Sequence, residues 1–264
     1  MRNFARVYPT DDLESAALAL FARNRGRERV FVLDDGEPGY GAFQATTFEI
    51  AARRLGLTVL GRETWDPRAK TYSETAGRVA ASGATAVYVG GLVDTNAGAV
   101  VRALRARLGR RVDLLGPSGL TPVSLLVRSS ERAALGMYLS LAGVVTEGLP
   151  PAGARWARRF GETQSGVPVE PPAVYAAQAT EVLLDAIARS DGTRASVVRE
   201  LFATSVTDGL LGSFGFDANG DISESPVTIV RIQRPGSANT ILAVGGARIA
   251  KVERPSPDLV AAEE

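Results

Sequence analysis

A chain of 264 residues, 45% hydrophobic and 22% charged, has enough apolar mass to bury a substantial core as one large domain or two modest ones. Its 30 Lys and Arg against 29 Asp and Glu leave a formal charge of +1, and the arginines are scattered along helical patterns without forming a basic block, so no nucleic acid partner is expected. Histidine and cysteine are both absent, which excludes the usual triads, thiol nucleophiles, Cys or His zinc sites and disulfides.

The opening MRNFARVYPTDD has neither the apolar stretch of a secretory signal nor a cysteine for a lipid anchor. Asp11 and Glu14 then form a capping-box pattern ahead of a stripe of Leu13, Ala16, Ala17, Leu20 and Phe21, which Gly26 ends. Strand-like runs begin at Arg29 (RVFVL), Leu57 (LTVLG), Thr85 (TAVYVGG) and Arg111 (RVDLLG), at intervals of 28, 28 and 26 residues, with a helical pattern between each. That is the period of consecutive strand-helix units, which forces parallel pairing. Parallel strands are expected over 29–34, 57–61, 85–90 and 112–115, and the fold class is α/β: a three-layer parallel sheet with helices on both faces.

Phe43, Thr47, Ile50 and Ala51 mark the helix before Gly56, while Asp94 to Asn96 are placed to cap a helix with the stripe Ala97, Val100, Val101, Leu104 and Leu108. Beyond Gly119 the rhythm changes. A strand is expected over 138–145, a short helix in PPAGARWARRFGETQSG, a long helix over 172–190 and another over 193–203. SFGFDANGDISESPVTIVRIQ reads as strand, tight Asn-Gly turn and strand, and residues 240–252 as a further hairpin. The longest mostly apolar run, Ala133 to Val145, is too short to span a bilayer.

Several motifs invite a chemical reading. Asp34 and Asp35 end the first strand as the acidic pair of a phosphoacceptor domain does, but the matching third aspartate is replaced by Val89-Gly90-Gly91, so helix capping or a solvated turn is the expected role. The Gly36 to Gly41 turn lacks the G-x-G-x-x-G order of a pyrophosphate cradle. Asp217-Ala-Asn219-Gly220-Asp221 has its glycine too early for a calcium loop. No catalytic residue, metal site or cofactor is called for. Three loops leave the carboxyl ends of parallel strands, where an open sheet places its ligands: Asp34 to Tyr40, Gly90 to Asn96 and Gly116 to Thr121. They offer a phenol, a glycine pair and a serine, which suits gripping a small solute.

The succession FARVYPTDDLESAALALF, RVFVLDDGEPGYGAF, ARRLGLTVLGRETWDPRAKTYSE, ATAVYVGGLVDTNAGAVVRALRARLG and LLGPSGL, continued by EPPAVYAAQATEVLLDAI and GSFGFDANGDISESPVTIVRIQ, resembles the type I periplasmic binding proteins of branched-chain amino acid transporters. The likeness covers nearly all of residues 3–233. It implies two α/β lobes that close over a solute, with this chain N-terminally truncated at the first crossover between lobes. Residues 1–140 and 222–252 then correspond to the second lobe, 141–221 to the returning part of the first, and 253–264 to a mobile tail. The resemblance further implies a non-catalytic, extracytoplasmic solute-binding component, periplasmic or at the cell surface, working with a membrane transporter or receptor.

Carried over position by position, the family's tyrosine matches Tyr40, its aromatic after the double glycine becomes Leu92, and its carboxylate for the α-ammonium becomes Ser118. The implied ligand-binding set is Tyr40, Gly90, Gly91, Leu92 and Ser118. The implied ligand is a small polar or aromatic solute with no strict need for a buried ammonium, whose charge would be costly without a partner. Apolar faces on the helix from Val174 to Ile187 are expected to favour a homodimer or pairing with the missing first lobe. The competing reading is an α/β transferase-like enzyme using Asp34, Asp35 or Asp94 with a divalent metal.

Overall fold

The four apolar runs form parallel strands, as their spacing predicts. In the computed structural model, which describes residues 3–165, 169–223, 225–234 and 246–261, α1 (Asp11–Asn24) leads into β1 (Arg29–Asp34), α2 (Gly41–Arg54), β2 (Thr58–Thr64), α3 (Ser73–Ser82), β3 (Ala86–Gly90), α4 (Gly98–Leu108), β4 (Asp113–Gly116), α5 (Val123–Ser129) and β5 (Tyr138–Ala142). There follow α6 (Pro151–Glu162), α7 (Pro171–Arg189), α8 (Arg194–Phe202), the strands β6 (Ser205–Gly209) and β7 (Gly212–Gly215), and finally β8 (Val227–Ile232) and β9 (Ala247–Glu253). The chain divides into two compact units: Asp11–Leu141 with Val227–Glu264, and Met1–Thr10 with Ala142–Pro226.

The larger unit is built on a sheet of order β2-β1-β3-β4-β5-β8-β9. Val32 of β1 lies beside Arg62 of β2 and Tyr88 of β3, and Leu115 of β4 beside Tyr138 of β5, all in parallel register. Gly136 donates to the carbonyl of Ile232 and Gly143 to that of Pro226, so β8 runs against β5, and β9 pairs antiparallel with β8.

The chain steps from β1 outward to β2, then back past β1 to β3 and onward. Right-handed crossovers put α2 on one face and α3, α4 and α5 on the other, and leave the point of reversal between β1 and β3. Side chains follow. Val30, Val32, Ala86 and Tyr88 pack against Leu18, Phe21, Phe48 and Ala52 of α1 and α2, with the rings of Phe48 and Tyr88 stacked at 4.3 Å. Their alternates Phe31, Leu33, Val87, Val89 and Leu114, also buried, point to the opposite layer.

The smaller unit has a core of Val7, Tyr175, Val182, Phe214 and Ile222, in which the Tyr175 hydroxyl accepts from the Val144 N–H at 2.6 Å and the ring meets Tyr8 edge-on. On α7, Leu183, Leu184 and Ile187 are exposed. No helix among the described residues is long and apolar enough to cross a membrane.

In the C-terminal third the observed pairing departs from the sequence pattern. The strand before Asn219-Gly220 pairs backward with β6, not forward with β8. The turn closes only the bridge Phe216↔Ile222, and Asp217 accepts from the N–H groups of Asn219 and Asp221 at 2.7 and 2.9 Å. The β6–β7 hairpin escapes sequence patterning because its tip is Leu210-Leu211; Leu210 is buried against Ala157 and Val174, so burial overrides the usual polar turn chemistry. Of the hairpin expected over 240–252, residues up to 245 lie outside the described residues, and β9 takes up the rest. The stretch after Glu253, expected as a mobile tail, is docked through residue 261: Arg54 donates to the carbonyls of Asp258 and Ala261 at 2.9 and 2.7 Å, and Leu259 and Val260 pack on the α1–α2 core.

Leu18 is fully buried between α1 and the sheet. Leu18→Ala is expected to cost roughly 2–5 kcal/mol in urea denaturation, whereas Leu184→Ser, at an exposed position, should stay within about 0.5 kcal/mol of the parent.

Candidate functional site

At the carboxyl end of β1 the chain reaches the point of reversal, and the two aspartates there are fully engaged. Asp34, buried, accepts from the Gly36 N–H and the Thr64 hydroxyl, both at 3.0 Å, and from Arg62 Nε at 2.8 Å. Arg62 also donates to the carbonyl of Ala42 at 3.0 Å, so the pair fixes the first turn of α2. Asp35, equally buried, accepts from the Glu37 N–H at 3.1 Å, the Leu92 N–H at 3.1 Å and the Thr95 hydroxyl at 2.9 Å. It thereby clasps the loop after β1 to the loop after β3. The pair serves the turn and adds a cross-loop tie that the sequence pattern did not show, whereas the expected helix cap is absent, since α2 starts without a side-chain cap, and burial replaces the expected solvated turn. Asp94 is exposed, and among the described residues no group of three acidic side chains converges as for a metal ion.

The loop after β3 is held from below. Trp65 is buried and donates its indole N–H to the Thr95 carbonyl at 2.9 Å. Asn96, whose φ of +66° breaks the helical run, donates to the Tyr72 hydroxyl at 3.0 Å. Asp94 to Asn96 therefore shape an irregular turn, and α4 starts beyond them without a side-chain cap.

The five residues singled out by sequence come together here. The Tyr40 hydroxyl accepts from the Gly119 N–H at 2.8 Å and lies 3.2 Å from Ser118 Oγ. A side chain on Gly119 would meet the Tyr40 ring at 2.4 Å, the Gly91 carbonyl at 2.9 Å and Leu92 Cδ2 at 3.0 Å, so the three loops touch at that glycine. Gly90 and Gly91 are similarly confined: a Cβ on Gly91 would stand 2.7 Å from Asp35 Oδ2 and 2.8 Å from the Trp65 ring. Tyr40, Leu92 and Ser118 remain partly exposed. Burial, then the nearby Glu14 charge, hold the Tyr40 phenol above its ordinary range despite its hydrogen bonds, so it stays a neutral donor and acceptor.

Glu14 is the residue that sequence reasoning misplaced. The capping-box pattern assigns it to the helix start, but α1 begins at Asp11 and the Glu14 side chain turns inward. It is 1% exposed and accepts from the Ser118 N–H at 2.7 Å, Ser140 Oγ at 2.8 Å and Ser118 Oγ at 3.1 Å. Desolvation by burial pushes its carboxyl up to about 7, even though these hydrogen bonds pull the other way. The signal in the sequence was the run of apolar and small residues around it, Leu13 and Ser15 to Ala19, all of which the structure buries. A carboxylate thus lies one hydrogen bond behind Ser118, and continues through Gln44 and Ser15 to the Tyr88 hydroxyl.

The model of a family described as periplasmic binding protein matches residues 2–238. Among solved structures, the chain is similar to a leucine binding protein LivK from Thermotoga maritima MSB8, at 24% identity and a TM-score of 0.73, covering 96% of this chain and 68% of that one. It is also similar to an ABC transporter substrate-binding protein from Desulfitobacterium hafniense in complex with Leu, at 19% identity and TM-score 0.69, covering 92% and 66%. A fatty acid ABC transporter substrate-binding protein from Thermomonospora curvata matches at 17% identity and TM-score 0.69, covering 96% and 65%. The chain therefore spans about two thirds of the length of these structures, and at such identities the likeness is one of fold. No curated protein matches the sequence.

Because Glu14 rises from 4.5 to about 7 on folding, the folded state takes up a proton that the unfolded chain has released. Its contribution to stability is complete below about pH 4.5 and is lost as pH rises through 7. Denaturation of the parent and Glu14→Gln at pH 4.5, 6 and 8 should show the variant gaining on the parent with rising pH, by on the order of 3 kcal/mol across the window. A difference independent of pH would refute this account of Glu14.

Proposed function

The chain belongs to the periplasmic binding protein family, and we propose on that premise that it captures a small solute without catalysis, as the substrate-binding component of an ABC-type transporter or a ligand-sensing receptor, on the extracytoplasmic side of a membrane. The observation that carries this reading is the meeting of three strand-end loops at Gly119, which gathers Tyr40, Gly90, Gly91, Leu92 and Ser118 at the point of sheet reversal. The groups offered are an aromatic ring, a neutral phenol, a serine hydroxyl and an apolar contact. The acidic groups nearby are spent on the fold: Asp34 and Asp35 accept three hydrogen bonds each, which favours binding over the metal-dependent transferase reading.

The solute proposed is small and polar or aromatic. Ser118 stands where amino acid binders of the resembled family carry a carboxylate, and Glu14 lies behind it, so a solute reaches the acid only through the Ser118 hydroxyl. A hydroxyl or amide on the solute suits that position better than an ammonium, which needs a carboxylate in direct contact.

Calorimetric titration of a panel of polar and aromatic solutes tests the site. Tyr40→Ala should weaken a bound solute by about tenfold or more, through loss of both ring contact and hydrogen bond, while Phe43→Ala, an exposed aromatic on α2, should leave affinity unchanged. Tight binding that survives Tyr40→Ala and Ser118→Ala together would place the site elsewhere.

A further inference from the structure

The near balance of charge along the sequence hides a local excess. At the opposite edge of the same sheet, where β4 and β5 begin, a cleft of about 440 Å³ is lined by Arg25, Arg27, Arg105, Arg110, Arg111 and Arg231, with Asp113 as its one acidic residue. They come from the α1–β1 loop, α4, the α4–β4 loop and β8, which is why no basic block appears in the sequence. Asp113 is occupied already, accepting from Arg25 Nε at 2.9 Å and Arg27 Nε at 2.7 Å. Among the described residues, Arg105, Arg110, Arg111 and Arg231 have no ion-pair partner.

The cationic groups are held in place by the fold. Arg105 Nη1 donates to the carbonyls of Gly109 and Val112 at 2.9 and 2.8 Å, Arg110 Nη1 to that of Leu135 at 2.5 Å. The nearly buried Tyr138 ring forms a platform with Arg25 at 4.8 Å and Arg231 at 5.8 Å from its centroid. Gly136 has φ +86°, and a Cβ built there would stand 3.6 Å from both Arg110 Nη1 and Arg231 Nη2, so two guanidiniums converge over bare backbone. Arg105 Nε is buried with no hydrogen-bond partner, and burial, reinforced by the charge of Arg110, lowers that guanidinium to about 10. Like charges fixed at this density repel one another, and among the described residues Asp113 is the one counter-charge lining the cleft.

We propose that this cleft binds a small multivalent oxyanion, one that carries two or more phosphoryl or carboxylate groups. Planar guanidiniums match such groups bidentately, a cleft lined predominantly by one sign of charge focuses its field on an entering anion, and the volume admits molecules such as pyrophosphate or citrate with room to spare. The site is separate from the strand-end crevice and does not depend on its solute.

Pyrophosphate and citrate serve as probes, added to the full chain against sodium chloride at matched ionic strength. Either should raise the melting temperature by several degrees beyond the chloride control and show saturable binding by calorimetry. Arg110→Gln/Arg231→Gln should weaken that binding by at least about tenfold, and Arg111→Gln, at an exposed residue, should weaken it without harm to folding. Arg128→Gln, an equal loss of charge at an exposed residue of α5, should leave it intact. Equal responses to both probes and to chloride, or binding unchanged by Arg111→Gln and the double variant alike, would overturn the proposal.

Discussion

One carboxylate decides where the upper edge of the sheet can open. Asp35 accepts from the backbone of its own loop and from Leu92 and Thr95 of the next, so the segments leaving β1 and β3 are tied at the very place where the strand order reverses. A parallel sheet with helices on both faces leaves its strand ends open for a ligand. Asp35 turns those ends into a fixed rim, and Trp65 beneath Thr95 keeps that rim from sinking. Everything placed on the rim, Tyr40 and Leu92 included, inherits its position from this tie.

The contrast between Asp35 and Glu14 shows two ways a buried acid can be kept. Asp35 sits near the rim and spends its oxygens on loops. Glu14 sits deeper, and its donors, a backbone N–H, two serine hydroxyls and the more distant Gln44 amide, do not fully offset the loss of water. The result is a carboxyl whose proton is held to about neutrality, wired to the rim by Ser118.

Much of this was legible in the sequence. The interval between apolar runs gave away parallel pairing, because a crossover of that length admits little else, and the positions of Tyr40, Gly90, Gly91, Leu92 and Ser118 at strand ends were enough to bring them to one edge. What escaped has physical reasons. Glu14 satisfied a local capping rule, so its burial among Leu13, Ala16 and Ala17 went unread. The β6–β7 hairpin hid behind a leucine tip that packs inward. The arginine cleft could not be seen at all, since its members lie between 25 and 231 in the chain and only the sheet assembles them.

The floor of the crevice is made of glycine: a Cβ on Gly41 would fall 1.9 Å from Asp35 Oδ1, and those on Gly90, Gly91 and Gly119 would strike backbone or ring atoms within 2.9 Å. A side chain added at any of these positions would have to displace Asp35, a ring or a neighbouring strand-end carbonyl, so at this edge room for change lies with side chains that stand clear of the glycines, Tyr40, Leu92 and Ser118 among them.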